Sequence, residues 1–317
     1  MTSVNEQFLV NSAIIGIGWL VRRYFIGDAG STVLVKVVLN VTLPALIVST
    51  FAGVQVESSL VILPIIALAY GLLMAGLGAF VLFNSWPRKR RGQAAFILPT
   101  FNIGLFAYPL VESALGRKAL KYLGMFDVGV AVMIFVVLLI VASYFSGEEG
   151  DGPGARHIIR AMTRSVPLIV YLLTVVLAVL GLGYPAPVVS VANVLARANM
   201  PLVLLVLGMF LRFDAAKGRW GEVARLLGIR YAAGIAIGTA LYMFLPYDQT
   251  FRTVLLVVFL LPPPLIVLAY SVEYKYDAPF VGLFLNVANV VAYFALWVAF
   301  NIVGPSHAVS VLPGVIP

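Results

Sequence analysis

The chain has 317 residues, 62% of them hydrophobic and 11% charged, with a mean hydropathy of +1.04. A soluble domain carries about 25% charged residues, so the composition excludes a soluble fold and predicts an all-α polytopic membrane protein. There is no cysteine, which removes disulfides, thiolate metal sites and cysteine nucleophiles, and the net charge of +8 is dispersed among loops, not gathered into a nucleic-acid-binding patch.

Apolar runs predict ten transmembrane helices, at 5–21, 32–53, 59–84, 93–113, 120–144, 165–182, 186–212, 224–246, 252–273 and 279–303. The first lacks a basic leader; Arg22 and Arg23 follow it, so it reads as a retained helix and not a cleaved signal peptide. The second holds Lys36, which snorkels near its cytoplasmic end, then Asn40 and Pro44. Asn40 either faces a transport path or hydrogen-bonds a neighbouring helix. After the third span, WPRKRRG (Arg88, Lys89, Arg90, Arg91) reads as a topology anchor, with anionic-lipid contact as its lesser use.

The fourth span, QAAFILPTFNIGLFAYPLVES, is interrupted by Pro99, Asn102, Gly104 and Pro109. Lipid cannot satisfy the backbone groups that such a break exposes, so protein or a water-filled cavity must surround it. Asn102 starts a half-helix whose positive end attracts an anion, and its amide adds a donor without a permanent charge. The plainer reading is that Asn102 caps its own helix. Gly104 is a second substrate-site candidate, and Pro109 shapes the break. In the fifth span Asp127 carries a proton or binds Na+, or else pairs with Lys121 or reaches the interface.

Residues 146–165, SGEEGDGPGARHIIRAMTRS, form the longest polar stretch and divide the spans five and five. The two histidines, His157 and His307, lie in this loop and in the tail, so no His/carboxylate metal cluster is expected. In the seventh span Arg197, Asn199 and Pro201 follow one another closely. Arg197 holds a carboxylate or snorkels, and Asn199 has the same two readings as Asn40.

The ninth span carries Pro262, Pro263 and Pro264. They lack amide protons, so the carbonyls of Leu260 and Leu261 lose their helical partners and become available to a cation or a substrate hydroxyl; a simple kink is the alternative. Tyr270 and Tyr274 follow, as ligand donors or as part of the interfacial aromatic belt. Asn286 and Asn289 in the last span are candidates for packing or lining.

Basic residues alternate between loops. Arg22, Arg23, Arg88–Arg91, Arg156, Arg160, Arg164, Arg212, Lys217, Arg219, Arg225, Arg230 and Lys275 fall on one side; Arg117, Lys118, Lys121 and Arg252 fall on the other. The positive-inside rule makes the first group cytoplasmic, places both termini outside, and puts the chain in the cell membrane. Five spans per half means that the second half enters from the opposite side. A shift of 157 residues lays Pro44 on Pro201 and brings the Asn102 break near Pro262. The expected organisation is two inverted five-helix repeats, 1–145 and 166–317, with broken fourth and ninth helices crossing at mid-bilayer.

The segments LNVTLPALIVSTFA, AAFILPTFNIGLFAYPLVESALG, NMPLVLLVLGMFL and LLPPPLIVLAYSVEYKYDAPFV resemble the auxin efflux carrier family, which is similar in fold to the bile acid/sodium symporters. The resemblance implies a core domain from helices 3–5 and 8–10 and a scaffold from helices 1–2 and 6–7. It implies organic-anion substrates such as auxin, malate or malonate, with Asn102 near the anion and Pro109 and Pro262–Pro264 at the crossing. The ninth span departs from the pattern in its proline triplet and in lacking an acidic or glutamine residue at the break, which leaves Na+ and H+ both open as coupling ions.

The reading is a secondary transporter for a small organic anion, working by alternating access, with an organic-anion channel or an uncoupled uniporter as the alternative. No cofactor, catalytic residue or enzyme activity is expected. The expected partners are the anion and the lipid bilayer, and a homodimer is compatible with them.

Overall fold

Among the described residues every regular element is helical. The computed structural model describes residues 4–52, 58–146, 163, 165–211 and 219–303. Most of the polar linker lies outside them, as do His157, Arg156, Arg160, Arg164, Arg212, Lys217 and His307.

Helix α1 (Val4–Val21) runs through a wide π turn, Arg22–Ile26, to Gly27. Helix α2 (Gly27–Val37), a second π turn (Val38–Thr42) and α3 (Leu43–Phe51) follow. The helical run Asn5–Phe51 has 47 residues. A straight rod of that length would reach about 70 Å, more than twice the hydrocarbon core. Gly27, at φ 59°, divides it in a conformation that side chains disfavour.

Next come α4 (Ser58–Gly76, continued by a π turn at Leu77–Val81), α5 (Arg88–Ile97), a π turn at Ile103–Ala107 leading into α6 (Tyr108–Leu115), and α7 (Leu120–Val132). A π turn at Met133–Val137 joins α7 to α8 (Leu138–Ser146). The second half holds α9 (Val166–Val179), α10 (Ala186–Phe210), α11 (Trp220–Phe244), α12 (Gln249–Val258), α13 (Ile266–Glu273) and α14 (Ala278–Val303). Six helices among the described residues are long and apolar enough to cross a bilayer, which makes this a multi-pass membrane protein. Side chains such as Phe25, Phe244 and Phe294 stand exposed on its outer faces, where acyl chains would cover them.

Helix α1 packs along α10. A Cβ on Gly18 would lie 2.1 Å from the Leu205 carbonyl oxygen, and one on Gly208 only 1.8 Å from that of Ile15. Small residues let the two backbones touch where the apolar effect offers no drive in lipid.

Both interrupted spans are broken in the structure. Helix α5 stops before Leu98, and residues 100–102 run without helical bonds into the half-helix Ile103–Leu115. Helix α12 stops at Val258, and residues 261–264 are likewise irregular before α13. The two breaks touch: Asn102 N–H donates to the Pro262 carbonyl at 2.7 Å. A reciprocal bond is impossible because Pro262 has no amide proton. Behind the contact Tyr70, Phe101, Phe126 and Phe259 form a ring cluster with centroid separations of 4.8 to 5.9 Å. These aromatic contacts exclude lipid and water from one side of the breaks.

Candidate functional site

On the other side of the breaks lies a cavity of about 570 Å³. Its wall is mostly apolar. Its polar members are Thr32, Asn40, Asn102, Asp127, Ser165 and Tyr171. Three of the π turns border it, through Asn40 (Val38–Thr42), Ile103 to Leu105 (Ile103–Ala107) and Ile134 with Phe135 (Met133–Val137). A wide turn leaves a carbonyl without its usual i+4 donor, and such turns gather at functional sites. Two of them also precede a proline, Pro44 and Pro109, whose missing N–H the altered winding accommodates.

Asn102 is 4% exposed and caps the half-helix, its Oδ1 accepting from Leu105 N–H at 3.2 Å. With Oδ1 used locally, the side-chain NH2 is the group left to serve a ligand in the cavity that Asn102 lines. The capping role and a binding role thus use different atoms. Gly104 also lines the cavity. A Cβ there would come 2.9 Å from Leu43 Cδ2, so glycine keeps the half-helix close to α3. Pro109 sits buried in the first turn of α6. Asn40 borders the cavity but donates back to the Lys36 carbonyl at 2.8 Å.

The other candidates are distributed unevenly. Pro264 lines the cavity, whereas Pro262 and Pro263 are buried at the crossing and are not on its wall. Asn199 is buried and accepts from Thr42 Oγ1 at 2.9 Å, across α10 and the π turn ahead of α3. That is interhelical bonding, and the two partners are separated by the 157 residues of the internal shift. Tyr270 donates to the Ile134 carbonyl at 3.4 Å and is not on the wall. Arg197 is exposed.

Asp127 lines the cavity, and its carboxylate meets Tyr171, not Lys121: Tyr171 Oη donates to Oδ2 at 2.8 Å. Tyr108 Oη lies 2.5 Å from Tyr171 Oη. A hydroxyl has one proton, so Tyr108 donates to Tyr171 and Tyr171 to Asp127. The relay joins α6 and α7 to α9.

Arg230 corrects the sequence reading, which grouped it with loop cations. It is 0% exposed, within α11. Its guanidinium donates to Leu98 O (2.5 Å), Thr100 O (2.6 Å), Ile97 O (3.4 Å) and, twice, to Leu261 O (2.7 and 3.2 Å). It also lies 5.0 Å from the Phe101 ring centre. One side chain therefore satisfies carbonyls from both broken helices. Its position ten residues into a long apolar helix was the available signal, since intramembrane arginines are costly and cluster at functional places. Tyr108 and Tyr171 gave no such signal, because tyrosines are ordinary in membrane helices.

The chain is similar to two archaeal transporters. One, from Methanothermobacter thermautotrophicus, is 28% identical over 229 residues, which cover 67% of this chain and 70% of the relative. The other, from Methanocaldococcus jannaschii, is 24% identical over 280 residues, which cover 84% of this chain and 88% of the relative. Each is named an uncharacterized transporter. No protein-family model matches the chain.

Proposed function

We propose that this protein is a secondary transporter of a small organic anion, built as two inverted five-helix repeats like the auxin efflux carriers and working by alternating access. The observation that carries the reading is the Asn102 amide, at the start of a half-helix, on the wall of a cavity that the two broken helices share. The substrate carboxylate sits against the Asn102 NH2 at the start of the half-helix, where the helix dipole is positive. The apolar wall favours a carboxylate with an apolar body over a small, fully polar one. The similarity to two named transporters supports the same direction.

With basic loops in the cytoplasm, the cavity opens inward: Thr32, Ser165 and Phe210, which line it, lie toward the helix ends on that side. Movement of the core against the scaffold then breaks the Tyr108–Tyr171–Asp127 relay, since Tyr171 belongs to the scaffold and the other two to the core. Asp127 is the group that carries a coupling proton. One observation speaks against sodium at the breaks and for the proton: Arg230 already supplies a cation to the carbonyls of both.

The test is uptake into proteoliposomes across a panel of mono- and dicarboxylates, with and without sodium and pH gradients. Saturable, counter-substrate-stimulated uptake that falls about tenfold or more in Asn102→Ala is expected, the loss of one hydrogen bond to a charged group. Uptake with the same rate and affinity in Asn102→Ala rejects the site, and conduction without saturation points to a channel.

A further inference from the structure

A second cavity, of about 490 Å³, lies apart from the first and shares none of its lining residues. The same helical runs reach both. Thr32 and Thr50 are 18 positions apart on the run that contains α2 and α3, Phe210 and Asn193 are 17 apart on α10, and Ile134 and Lys118 are 16 apart on the run through α7. At the helical rise these far walls are roughly 25 Å apart, while the near walls, Leu43 to Ser49 and Asp127 to Tyr122, are only about 8–9 Å apart. The second cavity is therefore at the opposite end of the same interface between helices.

Its chemistry is cationic. Arg117, Lys118 and Lys121 line it. Arg117 pairs with Glu112 (3.3 Å) and donates to Ser49 Oγ (3.0 Å). Lys118 and Lys121 form no ion pair among the described residues, and Lys121 stands 4.8 Å from the Tyr122 ring centre. The acid on the wall, Asp248, is engaged: it caps α12 through Phe251 N–H (3.1 Å) and accepts from Tyr122 Oη (2.8 Å). Thr50 Oγ1 is buried and has no hydrogen-bond partner among the described residues. Ser49 Oγ donates to Asn193 Oδ1 (2.5 Å), which leaves the Asn193 NH2 as a further donor.

The geometry points to a second anion site, an outer vestibule in which Lys118 and Lys121 hold a carboxylate while Thr50 and Asn193 orient it. Long flexible ammonium groups suit capture of a passing anion, because they bind as point charges without fixed geometry. Converging cations in a recess also raise the local anion concentration and the encounter rate. The Arg117–Ser49 bond spans the same interface, so movement of the core would break it. This extends the transport reading above and rests on it for the direction of the path.

The experiment is titration of the purified full-length protein in lipid nanodiscs with malonate and with indole-3-acetate, at low and high salt. The variants are Lys118→Gln/Lys121→Gln, its charge-reversed form Lys118→Glu/Lys121→Glu, and Asn102→Ala. Two sites per chain are expected for at least one probe. The weaker, salt-sensitive site loses about tenfold or more in affinity in the lysine pair variants and keeps its affinity in Asn102→Ala. A single site lost only in Asn102→Ala overturns the vestibule and leaves the Asn102 site standing. A single site lost only in the lysine variants supports the vestibule and overturns the Asn102 site. No binding of either probe, or two sites indifferent to the lysines, overturns the vestibule.

Discussion

Arg230 shows how much can turn on one side chain. Five donor bonds to four backbone carbonyls hold two irregular segments against each other, and no apolar residue can replace them. Arg230→Met is expected to destabilise the protein by about 3 kcal/mol or more, since it strands several buried acceptors. Arg230→Lys keeps the charge but not the planar fork. Thermal unfolding in detergent should therefore rank wild type above Lys and Lys above Met; equal midpoints for all three would refute the staple. Tyr171→Phe removes the donor to Asp127 and should cost about 1 kcal/mol, read by the same measurement. If Asp127 carries the coupling proton, Asp127→Asn transports at a rate that no longer changes across the pH range over which wild-type uptake changes. Asn102 and Asp127 were legible in the sequence because polar residues are scarce in these spans. Their partners were not. Which carbonyl an arginine reaches, and which tyrosine turns inward, is settled by three-dimensional packing between residues far apart in the chain, 132 positions for Arg230 and Leu98 and 63 for Tyr108 and Tyr171.

At the scale of elements, breaks were readable and windings were not. Pro99, Asn102 and the proline triplet remove amide protons or offer caps, so the interruption of two helices follows from local chemistry. The π turn at Met133–Val137 has no such local cause, since its sequence, MIFVV, suits an ordinary helix equally well, and Pro44 after the turn at Val38–Thr42 does not by itself specify a wide winding. Residues 22–31, between the first two expected spans, are helical in the structure and turn only at Gly27. Helix contacts give a paired test on one helix. Gly18→Ala drives a Cβ into the Leu205 carbonyl, whereas at Gly16 a Cβ meets nothing within 4 Å. Gly18→Ala is expected to lower stability by about 1–3 kcal/mol through overpacking, and Gly16→Ala to leave it unchanged or raise it by up to about 1 kcal/mol through helix propensity. Thermal midpoints that move together in the two variants would contradict the close α1–α10 crossing.

For the whole molecule, the proposal is a pathway with two ends: an inner cavity at the helix breaks and a cationic recess whose nearest wall lies about 8–9 Å further along the same helices. The chain lends itself to mapping that path, because it contains no cysteine and any introduced thiol is unique. Asn40 is exposed, lines the inner cavity and lies outside the two breaks. The most direct measurement is the rate at which a membrane-impermeant thiol reagent modifies Asn40→Cys in inside-out and in right-side-out vesicles, with and without the transported carboxylate. Faster modification in inside-out vesicles, slowed when the carboxylate is present, is the expected result. Modification only from the outer face, or a rate unaffected by any carboxylate that the protein transports, contradicts an inward-opening anion pocket at the meeting point of the two broken helices.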